Sequence, residues 1–162
     1  MKRSIQTHMT NLGGVIANLQ TLEFYIRAVL SELPESESCG LKPNENIYDL
    51  EVGHELLECP MTNFDALGDL IRKFNKVAAQ RGWGQVDGGL VEIRDALAHG
   101  RVAYPSDDHQ YPHLMKFSKP ANGKVRITFN EAMTPTWFET LIKRSVAAHK
   151  ILEAASLELH GG

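Results

Sequence analysis

The spacing of apolar residues in two long segments, one near each end of the chain, constrains the fold most. From residue 4 to 33 apolar side chains recur every three or four positions, which keeps one stripe of a helix buried. Pro34 ends this pattern, and a second such segment runs from Thr134-Pro135, a typical helix start, to about Leu159. The first stripe consists of Ile5, Met9, Leu12, Ile16, Leu19, Leu22, Ile26, Val29, Leu30 and Leu33. The sequence therefore predicts two long helices.

Two shorter helices are predicted between the long ones. One begins with Thr62 or Asn63 as its N-cap and ends near Arg81. Its apolar stripe consists of Phe64, Leu67, Leu70, Ile71, Phe74, Val77 and Ala78. The other helix runs from about residue 87 to 99 and is followed by Gly100, in the position where a left-handed glycine often ends a helix.

The apolar pattern changes from helical to alternating between the third and fourth helices, which predicts a β-hairpin. Its arms are residues 113–118 and 124–130, and Asn122-Gly123 is a strong signal for the turn that joins them. Alternation in the second arm places three apolar side chains on one face: Val125, Ile127 and Phe129.

Together these elements predict a single, mainly all-α domain that spans residues 1–162. We expect an antiparallel four-helix bundle with a small β-hairpin inserted before the last helix. Residues 34–61 form a long loop, and the sequence leaves open whether it is a lid or a passive surface segment. Trp83 and Trp137 stand at element junctions and are expected to anchor a core or an interface.

Composition limits the class of protein. No apolar run approaches the roughly 18–20 residues that span a bilayer, so no membrane association is expected. Cys39 and Cys59 lack CxxC spacing and no signal peptide is recognised, which predicts two reduced thiols and a cytoplasmic location. The net charge of −3 means that any RNA binding requires a local basic surface.

Arg94 and His99 form the pair with the most suggestive chemistry. The same Arg-x4-His spacing occurs in residues 3–8 and 144–149, so spacing alone means little. Only the pair at 94–99 lies at a predicted helix end, just before Gly100, where a last turn can unwind and let the side chains meet. Arginine binds phosphate oxygens and histidine transfers protons near neutral pH, so the pair suffices to cleave RNA through its own 2′-hydroxyl without a metal.

The residues alone leave other interpretations of this segment open. Arg94 and His99 could instead stabilise the negative end of the helix dipole. Asp95 could orient His99, pair with Arg94 or be solvated. Basic residues in and before the hairpin could line an RNA path or form a solvated edge that discourages aggregation: Arg101, Lys116, Lys119, Lys124 and Arg126. A metal site at Asp107, Asp108, His109 and His113 is conceivable, but a flexible loop gives weak support, and neither metal nor cofactor is predicted.

Residues 93–101 resemble the signature of the HEPN superfamily (higher eukaryotes and prokaryotes nucleotide-binding), which is an arginine, a polar residue, a short spacer and a histidine. Arg94, Asp95 and His99 stand at these positions in order. The expected helical frame, with the motif late in the third helix, is also similar. The polar residue is often asparagine in that superfamily, and Asp95 would put a negative charge beside a phosphate.

The resemblance implies a metal-independent endoribonuclease that acts as a homodimer, with two motifs meeting across the dimer axis. Such proteins commonly are toxins of toxin–antitoxin pairs or phage-defence effectors, which makes RNA the substrate and a small antitoxin protein a further partner. By this resemblance Arg94 would hold the scissile phosphate, His99 would transfer protons and Asp95 would support both. Some members cleave nothing, so the alternative is a catalytically inactive module that dimerises and binds a nucleotide, RNA or protein.

Overall fold

The computed structural model describes residues 2–42, 44–104 and 110–161, and it shows a mostly helical chain with a small antiparallel sheet. The described residues form four α-helices and three strands: α1 (Lys2–Ser31), α2 (Leu67–Arg81), α3 (Leu90–His99), β1 (Arg101–Ala103), β2 (His113–Phe117), β3 (Ile127–Ala132) and α4 (Pro135–Leu159). The prediction of a mainly helical chain with a hairpin before the last helix is therefore confirmed. Among the described helices, none combines the length and the apolar character needed to cross a membrane.

The chain divides into two compact units, and α1 and α4 each contribute to both. The first, here called the sheet unit, consists of Met1–Gln20 and Asp87–Ala147 and contains α3 and the sheet. The second, here called the loop unit, consists of Thr21–Val86 and Ala148–Gly162 and contains α2 and the predicted loop 34–61. The motif and that loop therefore belong to different units.

The buried stripe of α1 follows the prediction only from Leu19 onward. Ile5, Met9 and Ile16 were expected to be buried, but they are 48%, 66% and 39% exposed. In the sheet unit α1 buries Leu19 and, one turn before it, Val15, which the predicted stripe did not include. The first turns of α1 thus leave an apolar stripe open to solvent.

Helix α2 begins after Ala66, so the predicted cap at Thr62 or Asn63 is wrong. The reason is a non-local contact in the loop unit. Arg27 donates hydrogen bonds to the backbone carbonyl of Asn63 at 3.0 Å and to its side-chain Oδ1 at 2.8 Å. The segment before α2 therefore wraps around a guanidinium instead of starting a helix, and Phe64 is fully exposed.

Cys39 and Cys59 form a disulfide, so the prediction of two reduced thiols is wrong. The loop folds back on itself, and the Leu57 N–H donates to the Cys39 carbonyl at 3.0 Å. This places the two cysteine Cα atoms 5.3 Å apart, within the usual range for a disulfide. Sequence spacing could not show this approach because it depends on the path of 20 residues.

The three strands form an antiparallel sheet in the order β1-β2-β3. Asn122 and Gly123, with φ of 51° and 70°, form the predicted turn between β2 and β3, closed by a bridge between Ala121 and Lys124. Strand β1 was not predicted, because three residues are too few for alternation to be recognised. The hairpin is therefore confirmed and extended by one short strand.

A β-bulge separates side chains that the sequence placed on one face. Lys116 pairs with Phe129 and Phe117 pairs with Ile127, so the register shifts between Lys116 and Phe117. Lys116 and Phe117 are neighbours in β2, so their side chains point to opposite faces of the sheet. Their partners Phe129 and Ile127 therefore also lie on opposite faces, and the prediction that they share one face is wrong. Phe129 is buried with Leu114, whereas Ile127 is exposed. The sheet thus has an inner face, which carries Leu114 and Phe129, and an outer face.

Candidate functional site

Helix α3 carries the three motif residues beside its buried stripe. That stripe consists of Leu90, Ile93 and Ala96. Arg94 and Asp95 are partly buried, and the His99 side chain is 65% exposed. The motif therefore lies where the packed side of α3 gives way to solvent.

Helix α3 begins at Leu90, and the Asp87 carboxylate before it is held by two donors. It accepts hydrogen bonds from the Gly89 N–H and from Arg144 Nε, both at 2.8 Å. The hydrogen bond from Arg144 also holds the pKa of Asp87 below its ordinary value, against the opposing effect of partial burial. Arg144, which belongs to the Arg-x4-His spacing of residues 144–149, thus forms a structural ion pair with Asp87.

Gly100 ends α3 without the left-handed conformation that the sequence predicts. Its φ of −81° and ψ of −178° are extended backbone, and its N–H donates to the Ala96 carbonyl at 2.7 Å. A Cβ at this position would lie 2.3 Å from that carbonyl and 3.0 Å from Leu114 Cδ1. Glycine therefore permits close approach of the helix end to β2, and α3 stays helical through His99 instead of unwinding.

Asp95 joins the motif to the hairpin. Lys116 of β2 donates a hydrogen bond to Asp95 Oδ2, and His99 Nε2 lies 3.6 Å from Asp95 Oδ1. Within the described part of the chain, Arg94 makes no hydrogen bond or ion pair. Of the three roles considered for Asp95, the geometry thus favours a contact with His99. Its principal partner is Lys116, which the sequence predicted as an RNA contact or as part of a solvated edge.

The pKa of the Asp95 carboxyl lies below its ordinary value, chiefly because Lys116 hydrogen-bonds to its ionised form. Partial burial works in the opposite direction, and the charges of Lys116, His99 and Arg94 lower the pKa further. Asp95 is therefore a carboxylate at neutral pH and cannot donate a proton there. Among the three motif residues, His99 is the one suited to proton transfer.

The structure separates the basic residues that were grouped as RNA contacts. Lys116 lies at the motif, whereas the Arg101 guanidinium lies 5.4 Å from the ring centroid of Phe117 on the outer face of the sheet. Lys124 and Arg126 are exposed in the connection between β2 and β3. The structure therefore separates Lys116, which lies on the inner face, from Arg101 on the outer face.

A cavity of about 570 Å³ is lined mainly by residues of α3, β3 and α4, and the motif residues do not line it. Two carboxylates, Glu92 and Glu131, stand in its wall and disfavour a phosphate. Asp107, Asp108 and His109 of the conceivable metal site lie outside the described residues. Among the residues that are described, no three metal-binding side chains are grouped so that they could hold an ion.

We expect Lys116→Met to destabilise the protein at neutral pH but not in acid. The folded-state pKa of Asp95 is depressed from 3.8, so its pairing stabilises the fold above the unfolded-state pKa. That stability is lost as pH falls through the folded-state pKa. Because the pair is partly exposed, the loss at pH 7 should be below about 1 kcal/mol. Urea unfolding of both proteins at pH 7 and below pH 3 measures it.

The matched control for this prediction is Lys124→Met, since Lys124 is an exposed hairpin lysine. It should change the free energy of unfolding equally at both pH values. A pH-independent effect of Lys116→Met would show that the aliphatic stem of the lysine stabilises the fold, and not its hydrogen bond to Asp95.

Comparison of the chain with protein-family models, curated proteins and solved structures finds no match. Functional inference therefore depends on the geometry of Arg94, Asp95, His99 and Lys116.

Proposed function

We propose that this chain is a metal-independent endoribonuclease of the HEPN type, which cleaves RNA through attack by the 2′-hydroxyl. The pairing of Asp95 with Lys116 carries this proposal. The hairpin lysine offsets the charge that Asp95 would otherwise present to a phosphate. Arg94 has no hydrogen-bond or ion-pair partner in the described part of the chain, and His99 is open to solvent. Because α3 stays helical through His99, the two side chains are about 140° apart around the helix, so the proposal requires groups of two copies to meet at one phosphate.

In the proposed reaction, a neutral His99 accepts the proton of the ribose 2′-hydroxyl as its oxygen bonds to phosphorus. The bond from phosphorus to the 5′-oxygen breaks, and that oxygen takes a proton from a second, protonated imidazole. The products are a 2′,3′-cyclic phosphate and a 5′-hydroxyl. Arg94 binds the non-bridging oxygens, where negative charge increases in the transition state.

The second imidazole belongs to a second copy of the chain in this proposal. A single motif lies on an open surface, whereas catalytic groups act best in an enclosed site. In the same sheet unit Ile5, Met9 and Ile16 leave apolar surface exposed on α1, and such surface is typical of interfaces. A homodimer would bury this surface and bring two motifs into one site. The antiparallel four-helix arrangement of HEPN proteins is part of the same proposal.

A toxin–antitoxin or phage-defence role, with a small antitoxin protein as partner, follows only from the resemblance of residues 93–101. RNA as substrate favours a cytoplasmic location. The Cys39–Cys59 disulfide counts against it, because structural disulfides are uncommon in reducing compartments.

One observation favours the alternative, a catalytically inactive module that dimerises and binds RNA, a nucleotide or a protein. The His99 imidazole faces a carboxylate at 3.6 Å and is mostly exposed. An imidazolium at this place could pair with Asp95 and simply hold the helix end together. Binding of RNA without cleavage would support this function.

The test is incubation of the purified protein with a single-stranded RNA in the presence of EDTA. We expect fragments that end in a 2′,3′-cyclic phosphate and begin with a 5′-hydroxyl, which mass spectrometry distinguishes from linear phosphates. A DNA of the same sequence should stay intact because it lacks the attacking hydroxyl. Cleavage of that DNA, or activity abolished by EDTA, would contradict the proposed reaction.

A further inference from the structure

The outer face of the sheet carries an arginine held against an aromatic ring. Arg101 pairs with Met115, and Phe117 lies two residues further along β2, so all three side chains share this face. The Arg101 guanidinium carbon lies 5.4 Å from the Phe117 ring centroid, within the range of a cation–π contact. Arg101 is exposed and Phe117 is partly buried. The ring thus supports the guanidinium while solvent can still reach it.

A guanidinium in this position suits a nucleobase. It is planar, weakly hydrated and stacks on π faces, and the cation–π contact reduces the conformational freedom that binding would otherwise cost. Proteins that bind single-stranded nucleic acid stack its bases on aromatic rings or on arginine planes. Bases inside a duplex are already stacked on each other and cannot use such a site.

The charge of the outer face fits a polyanion, although the whole chain carries −3. Register places on this face residues 101, 103, 113, 115, 117, 127, 130 and 132, and none of them is acidic. The connection from β2 to β3 adds three exposed cations, Lys119, Lys124 and Arg126. A nucleic-acid backbone that follows this face would therefore meet positive charge and no strand carboxylate.

The position of Arg101 links this surface to the motif. It stands two residues after His99, so the two Cα atoms are at most about 7 Å apart. Gly100 between them has extended backbone. Arg101 points to the outer face, whereas the motif contacts inner-face Lys116, and β1 is the edge strand between them. An RNA strand with one base stacked on Arg101 would therefore pass around this edge to reach the motif.

We propose that Arg101, supported by Phe117, is a stacking site for a base of single-stranded RNA beside the Arg94–His99 motif. This inference rests on the proposed function and specifies its substrate class: single strands bind and duplexes do not. Arg101 and Phe117 are binding residues in this assignment and take no part in proton transfer.

The test measures binding by fluorescence anisotropy, with a labelled single-stranded 2′-O-methyl RNA that cannot be cleaved because its 2′-oxygen is blocked. Arg101→Lys keeps the positive charge but removes the planar guanidinium. We therefore expect about tenfold weaker binding of the RNA, within the range known for one stacked base. Phe117→Leu should weaken binding similarly because it releases the guanidinium. The matched control Arg81→Lys, an exposed arginine of the loop unit whose guanidinium lies 5.3 Å from the Trp83 ring centroid, should stay within twofold of wild type.

Equal effects of Arg101→Lys and Arg81→Lys would overturn the stacking site, and so would equal affinity for a duplex of the same length. A separate cleavage assay with unmodified RNA distinguishes this failure from that of the nuclease. Binding that depends on Arg101 without cleavage would keep the stacking site and reject the nuclease. Cleavage by a protein whose RNA binding does not depend on Arg101 would support the nuclease and reject the stacking site.

Discussion

Alanine at Arg94 or at His99 is expected to reduce RNA cleavage by about 10²–10⁴-fold, the usual contribution of a positioned acid–base group. Arg94→Ala removes the cation that would stabilise charge on the phosphate, and His99→Ala removes the group that transfers protons. Both side chains lie at the border of α3 with solvent, so neither change opens a core cavity. Initial cleavage rates in EDTA, with saturating RNA, measure the loss.

The controls are Arg72→Ala and His54→Ala, which remove an exposed arginine and an exposed histidine of the loop unit. They should leave the cleavage rate within twofold of wild type. Unchanged circular dichroism and unchanged molar mass in all four variants would show that the fold and the oligomer survive. Wild-type rates in both motif variants would reject the site and favour a structural role for the pair at the helix end.

The parts of the fold that could be predicted depend on short-range patterns. Residues close in sequence determine both the buried stripe from Leu19 to Leu30 in α1 and the turn at Asn122-Gly123. The structure confirms both predictions. Failures occur where a distant group decides the outcome. Arg27 displaces the start of α2, and a one-residue bulge moves Ile127 away from the face of Phe129.

The candidate site shows the same division. Arg94, Asp95 and His99 could be predicted as site residues because they lie within six consecutive residues and form a recognisable local pattern. The sequence could not assign Lys116 to Asp95, since the two are 21 residues apart and meet only when β2 pairs with β1. Likewise, the contact between Arg101 and Phe117 requires the register of β1 on β2, and no local signal shows that β1 exists.

Reduction of the Cys39–Cys59 disulfide is expected to lower the free energy of unfolding of the loop unit by about 3 kcal/mol. The bond closes a loop of 20 residues, and the loss of unfolded-state entropy for that length gives this value. In a protein of this size the melting temperature should fall by roughly 6–12 °C. Thermal unfolding with and without a phosphine reductant measures it. Trp83, stacked on Phe74, reports on the loop unit in a Trp137→Phe background.

The control for this prediction is Cys39→Ala/Cys59→Ala, whose melting temperature should not respond to the reductant. Comparing oxidised and reduced forms of one sequence separates the crosslink from the packing of Cys59, which is buried. Because the motif belongs to the sheet unit, reduction should leave RNA cleavage below the melting temperature nearly unchanged. A stability unchanged by reductant would mean that the loop is held by its other contacts, such as the Leu57–Cys39 backbone bond, without help from the crosslink.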